Sequence, residues 1–420
     1  MIKASMIAGT CALALCSAAH AETTVVKAAR YLDVGSGRYV TPAVIVVEDG
    51  KIAAINPSSI PEGAVVDLGG ITLLPGLMDA HTHLSLSIEP GWDTSDVRLT
   101  AADFAYNAAV NAKKTLLAGF TTVREVGAPD FVDVALSKAV EAGKVDGPHV
   151  IPAGYALGIT GGHCDTTGYG PGILERDDTT GVADGPDSFV RAARYQIKHG
   201  AKVIKVCATA GVLSFEDSVG AQQMTFEEMK AVADEAHRHG VKVAAHAHGT
   251  EGIIAASEAG IDSIEHGSVL TEKAVNVLKK NGTYLDSTLY LAQTIDWKSL
   301  PPMLAEKGRV VMPLADESFK LALSKGVKMS LGTDAGVYPH GTNAGELVRH
   351  VELGQSSIEA IRSATINNAD LFGVKDRGRI APGLLADIIG VDGDPLVDIT
   401  QLTDVDFVMR GGKVFKTPAE

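Results

Sequence analysis

Val203-Ile204-Lys205-Val206-Cys207 and Val241-Lys242-Val243-Ala244-Ala245 decide the fold, because both runs are built mainly of β-branched or small residues with no alternating polar face. A strand that reads this way is covered on both sides, as in a parallel sheet flanked by helices. Working outward, such runs alternate with helical patterns from Leu77 to Phe372. The strand candidates are Leu77 to His83, Thr121 to Val126, His149 to Gly154, Val203 to Ala208, Val241 to His248, Ser263 to Gly267, Tyr284 to Leu289 and Lys328 to Asp334. Each is followed by enough chain for a helix. Eight βα units predict an α/β fold closed into a (β/α)8 TIM-like barrel over residues 76–375.

The flanks, 22–75 and 376–420, carry short strands and turns such as Glu48-Asp49-Gly50-Lys51 and Arg410-Gly411-Gly412-Lys413. Neither flank alone could bury much apolar surface, so the expectation is one small β-sandwich built from both chain ends. A Gly-, Thr- and Asp-rich stretch from Ile159 to Asp184 follows the third strand. Its length suggests a binding loop or lid.

Residues 1–21 differ from the rest: Lys3 precedes an apolar run from Met6 to Cys16, and Ala19-His20-Ala21 offers small residues for cleavage. This predicts a signal peptide, a mature chain from Glu22 and a periplasmic or secreted protein without a membrane anchor. An uncleaved anchor is the alternative, although the apolar run is shorter than the roughly 20 residues a spanning helix needs. Of the four cysteines, Cys164 and Cys207 would remain after cleavage, either paired or as buried free thiols. With 37 Lys and Arg against 51 Asp and Glu, the net charge of −14 disfavours nucleic acid and anionic lipid.

Asp79-Ala80-His81-Thr82-His83 closes the first strand. Residues two apart share a strand face, so both imidazoles point to one side and can share a divalent cation, although such a pair can also be structural. His246 ends the fifth strand, His266 the sixth and Asp334 the eighth, which brings all of them to the rim where barrel enzymes carry their chemistry. Lys205, near the end of the fourth strand, is either solvent-facing or must be neutral or paired inside. A neutral amine can add CO2 and become an anionic carbamate with two oxygens. His163, Tyr290, His340 and Arg124 are candidates for substrate contact, each with a plain structural alternative. For Arg124 that alternative is a salt bridge with Glu125 or Asp165. His248 shares a face with His246. His237 and His239 read as surface residues.

These motifs resemble the binuclear branch of the amidohydrolase superfamily. Leu74-Pro75-Gly76-Leu77-Met78-Asp79 is similar to its lead-in, and the resemblance extends from Val25 to Lys416. Gly119-Phe120-Thr121-Thr122-Val123-Arg124, Thr160-Gly161-Gly162-His163, Ala245-His246-Ala247-His248-Gly249 and Ser263-Ile264-Glu265-His266-Gly267 resemble prolidase-like dipeptidases, carboxypeptidases and ochratoxin-hydrolysing amidohydrolases. Ala210 departs from the branch, which more often has Gly there. The resemblance implies one cation on His81, His83 and Asp334, a second on His246 and His266, and carboxylated Lys205 with a hydroxide bridging the two. Zinc is the expected metal. It further implies that Asp334 relays a proton while the hydroxide cleaves a dipeptide or N-acyl amino acid, releasing a C-terminal residue. A homo-oligomer is also expected. Alternative readings are a mononuclear deaminase or imidazolonepropionase-like hydrolase, a lactonase, and a non-catalytic periplasmic metal-binding receptor.

Overall fold

A computed structural model describes residues 23–88, 91–215, 218–298 and 300–418, so the expected signal peptide lies outside the described residues. The N-terminal flank forms strands β1 (Thr23–Ala28), β2 (Arg30–Asp33), β3 (Arg38–Val40), β4 (Ala43–Glu48), β5 (Lys51–Ile55), β6 (Ala64–Asp67) and β7 (Thr72–Pro75). Seven parallel strands follow: β8 (Leu77–Thr82), β9 (Phe120–Glu125), β10 (His149–Ile151), β11 (Val203–Cys207), β12 (Lys242–Ala247), β13 (Ser263–His266) and β14 (Tyr284–Asp286). The chain ends with β15 (Ile388–Val391), β16 (Phe407–Arg410) and β17 (Lys413–Lys416).

The two flanks meet in one six-stranded sheet, ordered β17-β16-β15-β7-β2-β3, in which β15 runs antiparallel to β7. A second sheet, β5-β4-β1-β6, comes from the N-terminal flank alone. Val26, Ile45 and Val47 of this second sheet share a core with Leu73, Ile388 and Phe407 of the first. Each flank therefore supplies apolar surface that the other needs in order to leave water.

The parallel strands form two groups, β10-β9-β8 and β11-β12-β13-β14. Helices cover them because their apolar residues recur every three or four positions. In the helix Pro186–His199, Phe189, Ala192, Ala193 and Gln196 are buried, with Pro at its start and Gly200 at its C-terminal end (φ 115°). Thr225 and Glu228 close a reciprocal capping box on the helix Phe226–Arg238. Ile204, Val243, Ile264 and Leu285 of the strands join Phe189, Met229, Ile253 and Val275 of the helices in the largest core cluster. Among the described residues, no helix is long and apolar enough to cross a membrane.

Two expected strands come out differently. β10 ends at Ile151, and beyond it Leu157 takes over the contact with β11, donating to the Lys205 carbonyl at 2.8 Å and accepting from the Cys207 amide at 2.8 Å. Residues 328–334 are extended but do not form a regular strand. Ser330 donates to the Leu285 carbonyl (3.0 Å), whereas Ala80 donates to Leu331 (2.8 Å) and Asp334 to His81 (2.7 Å), so the segment bonds to both β14 and β8. Side chains replace its missing ladder bonds: the Asp79 carboxylate accepts from the Thr333 amide (3.1 Å) and hydroxyl (2.6 Å). Gly332 lets the chain pass Asp286, since a Cβ there would lie 2.2 Å from the Asp286 carboxylate.

Candidate metal centre

His81, His83, Lys205, His246, His266 and Asp334 all line one cavity, as does His163. The strand register explains part of this convergence. Lys205 lies opposite Ala244 and Cys207 opposite His246, while Ala247 lies opposite His266, so neighbouring strands present their ligands at nearly one level. Strict alternation would send Glu265 and His266 to opposite faces. His266 instead adopts φ 71°, which breaks the alternation and lets both face inward, and Asp334 does the same with φ 60°. Left-handed backbone at a non-glycine residue costs about 1–2 kcal/mol, a strain typical of functional sites.

Three of the imidazoles are each oriented through one ring nitrogen. Nδ1 of His81 faces Glu265 Oε2 at 2.9 Å, Nδ1 of His83 the Gly127 carbonyl at 3.2 Å, and Nδ1 of His266 the Thr288 hydroxyl at 2.7 Å. Nε2 is thereby left for the cavity. For His81 and His83 it lies 3.4 Å from Asp334 Oδ1. His246 Nε2 is buried with no hydrogen-bond partner among the described residues. A buried nitrogen without a partner is costly unless a cation takes its lone pair.

Electrostatics agree with that role. Burial, reinforced by nearby cationic groups, drives His81, His246 and His266 well below the usual imidazole range, and burial followed by Lys205 brings His83 down to about 4. The rings are neutral and can act as ligands. Burial pushes Asp334 up to about 7 against the pull of Lys205, and lowers Lys205 to about 8 against Glu265 and Asp334. Lys205 is buried, which excludes the solvent-facing alternative.

Ligand atoms converge in the groups His81/His266/Asp334 and His246/His248/His266, which could each hold a metal ion. His266 belongs to both groups, and His248 joins it in the second, its Nδ1 held by the Ser268 hydroxyl at 2.8 Å. His163 stacks on His246 with ring centroids 4.0 Å apart.

The other three candidates for substrate contact are not in the cavity wall. Arg124 is wholly buried beneath it, bonded to Glu265 (2.8 Å), the Ala80 carbonyl (2.6 Å) and Ser263 (3.0 Å), so its partner is Glu265 and not Glu125 or Asp165. Tyr290 packs edge-on to Tyr338, and His340 Nε2 lies 3.2 Å from the Leu86 carbonyl. The reading by residue type missed Glu265, which is adjacent to His266 in sequence. Its signal was a carboxylate inside a short strand expected to be covered on both faces, which must have a buried partner. His237 and His239 pair with Asp262 and Glu235 at the surface, as expected. Cys164 and Cys207 form a disulfide. Ala210 needs no glycine conformation, since its φ is not positive and its backbone pairs with Gly220 and Ala221.

A rim of neutral histidines with a carboxylate and a lysine, presented by parallel strands, defines a metal-ligating hydrolase centre. Residues 72–415 match the amidohydrolase family, and the chain belongs to it. It is 32% identical to ochratoxinase from Aspergillus niger over 97% of this chain and 89% of that protein. A solved Xaa-Pro dipeptidase with methionine bound in its active site aligns with a TM-score of 0.89 at 36% identity, covering 94% of this chain and 100% of the other. A prolidase complexed with N-methylphosphonate-L-proline aligns with a TM-score of 0.87 at 30% identity, over 94% and 100%. The protein is a hydrolase acting on amide bonds.

Proposed function

We propose that the protein releases a C-terminal amino acid from a dipeptide or an N-acyl amino acid, using two divalent cations held at the mouth of a closed (β/α)8 barrel. The observation that carries this reading is the convergence of six ligand-type side chains on one cavity. Closure is supported by the hydrogen bonds that residues 328–334 make to β14 on one side and β8 on the other, and by those of Leu157 to β11.

His81, His83, His246, His266 and Asp334 would hold the cations, and Lys205 as a carbamate would supply the shared anion. A donor set of imidazoles and one carboxylate suits zinc. When bound, such cations lower the pKa of water and polarise a carbonyl. Asp334, whose Oδ1 lies 3.4 Å from Nε2 of both His81 and His83, is placed to accept a proton at Oδ and return it to the leaving nitrogen. Glu265 keeps His81 oriented throughout. His163 is in the wall to meet a substrate carboxylate. The N-terminal apolar run and the Cys164–Cys207 disulfide support export to an oxidising compartment.

The test is hydrolysis of an N-acyl-phenylalanine, its C-terminal amide and the matching ester by the zinc-loaded protein. The acid should be cleaved with a kcat/KM about a hundredfold above that of its amide, the loss of one charge-assisted hydrogen bond. Equal rates for acid and amide would point to a general amidase. Turnover confined to the ester would indicate a lactonase or esterase.

A further inference from the structure

The chain contains two tryptophans, Trp92 and Trp297, and both line the cavity that holds the histidine cluster. Trp92 comes from the connection after β8 and Trp297 from the one after β14. Each is only half-buried, as are Ile295 and Met312 beside them, so a wall of large apolar side chains faces the space above a polar floor. Tryptophans are few in this protein, yet both are placed here and not in the core. Apolar surface left open in a concave site favours a ligand that covers it with apolar surface of its own.

The seat of Trp297 is specifically made. Gly308 lies inside the helix Pro302–Lys325 and is buried, a position where glycine is less favourable than alanine. A Cβ at 308 would meet Cζ3 of the Trp297 ring at 2.0 Å and Cη2 at 2.4 Å, so the ring lies directly on the helix backbone. Met312 and Ala315, four and seven residues further along the same helix, continue that face into the cavity wall. On the other connection, the Tyr169 hydroxyl donates to the Asp93 carbonyl at 2.6 Å and Arg176 pairs with Asp96 at 2.8 Å. These bonds fix the segment carrying Trp92 against the long loop. Both walls are therefore held in place, as selectivity for a shape requires.

Building on the amide-hydrolase reading above, we propose that Trp92, Trp297, Ile295 and Met312 form a subsite for a bulky aromatic or branched apolar group of the substrate, and that Gly308 is a specificity-determining residue because it seats Trp297. A substrate built from small groups would leave this wall wet and gain nothing from it. An aromatic acyl or side-chain group would displace that water and fix the amide over the histidine cluster.

Because both tryptophans lie in the wall, intrinsic tryptophan emission of the full-length protein reports directly on the subsite. Titration with N-benzoyl-phenylalanine should change the emission saturably, with half-saturation at least tenfold below that of N-acetyl-glycine. The ratio of kcat/KM for these two compounds should fall tenfold or more in Gly308→Ala and in Trp297→Ala, and recover in Trp297→Phe. Circular dichroism identifies a variant that fails to fold, and the Trp297 pair keeps the comparison decisive if Gly308→Ala is that variant. A ratio unchanged in folded Trp297→Ala, or emission that responds equally to both compounds, would overturn the subsite. Saturable, aromatic-selective emission without cleavage of either amide would uphold the subsite and overturn the amide-hydrolase reading instead.

Discussion

Glu265 Oε2 accepts from Nδ1 of His81 at 2.9 Å while Oε1 of the same carboxylate holds the Arg124 guanidinium at 2.8 Å. One buried side chain thus sets the tautomer of a candidate metal ligand and neutralises the cation beneath the site. Removing an orienting partner of this kind costs about 10- to 100-fold in metal affinity, and leaving a buried charge unpaired costs about 3–5 kcal/mol. Glu265→Gln should therefore weaken metal binding in a chelator competition and lower the melting temperature together. Unchanged metal affinity would separate Glu265 from the site.

Lys205→Ala removes the amine that burial lowers to about 8 and that lies among the candidate ligands. Metal analysis should show loss of most bound cation, with activity falling to near background, and short carboxylates added with metal should restore part of it. A mutant that still binds two equivalents of metal would show that Lys205 bridges nothing.

Asp334→Asn keeps an oxygen for a cation but cannot carry a proton. At least one equivalent of metal should remain while kcat drops by about three orders of magnitude or more. Near-normal turnover would remove the proton relay from Asp334.

Burial tends to lower His149, but the facing Asp387 carboxylate and the hydrogen bond to Glu141 outweigh that effect and raise it above 6.5. It lies 2.7 Å from Glu141 and 3.5 Å from Asp387, linking β10 to the chain's C-terminal strands. Because the folded value exceeds the unfolded one, the added stability is full below about 6.5 and is lost as pH rises through the folded value. The melting temperature should fall over that window, and His149→Gln should flatten the fall. An identical profile in the mutant would assign the dependence to other groups.

The Cys164–Cys207 disulfide has a sequence separation of 43, encloses most of the long loop, and adjoins His163. Closing a loop of that size restricts the unfolded chain by up to about 4 kcal/mol. Cys164→Ala should lower the melting temperature, and non-reducing peptide mapping should recover the bridged pair from the wild type. Free thiols at both positions in protein isolated without reductant would refute the pairing.

The apolar runs around Val203 and Val241, and the histidines at the ends of three predicted strands, were legible without coordinates. Periodicity and side-chain chemistry are local properties, and each candidate ligand lies near the end of a predicted strand. The pairing of Arg124 with Glu265 was not legible, nor was the withdrawal of Tyr290 and His340 from the cavity wall. Those outcomes depend on which side chains meet across strands, and two left-handed residues, His266 and Asp334, suspend the alternation on which a linear reading relies. The seat of Trp297 on Gly308 is likewise tertiary. A glycine inside a helix signals only lost propensity until the neighbour that requires its missing Cβ is known. The α/β class and the candidate residues that meet in one cavity were already set by residue type and spacing along the chain. Only the tertiary structure decided which ring nitrogens face the cavity and what shape its walls present, because those follow from long-range packing that brings distant residues into contact.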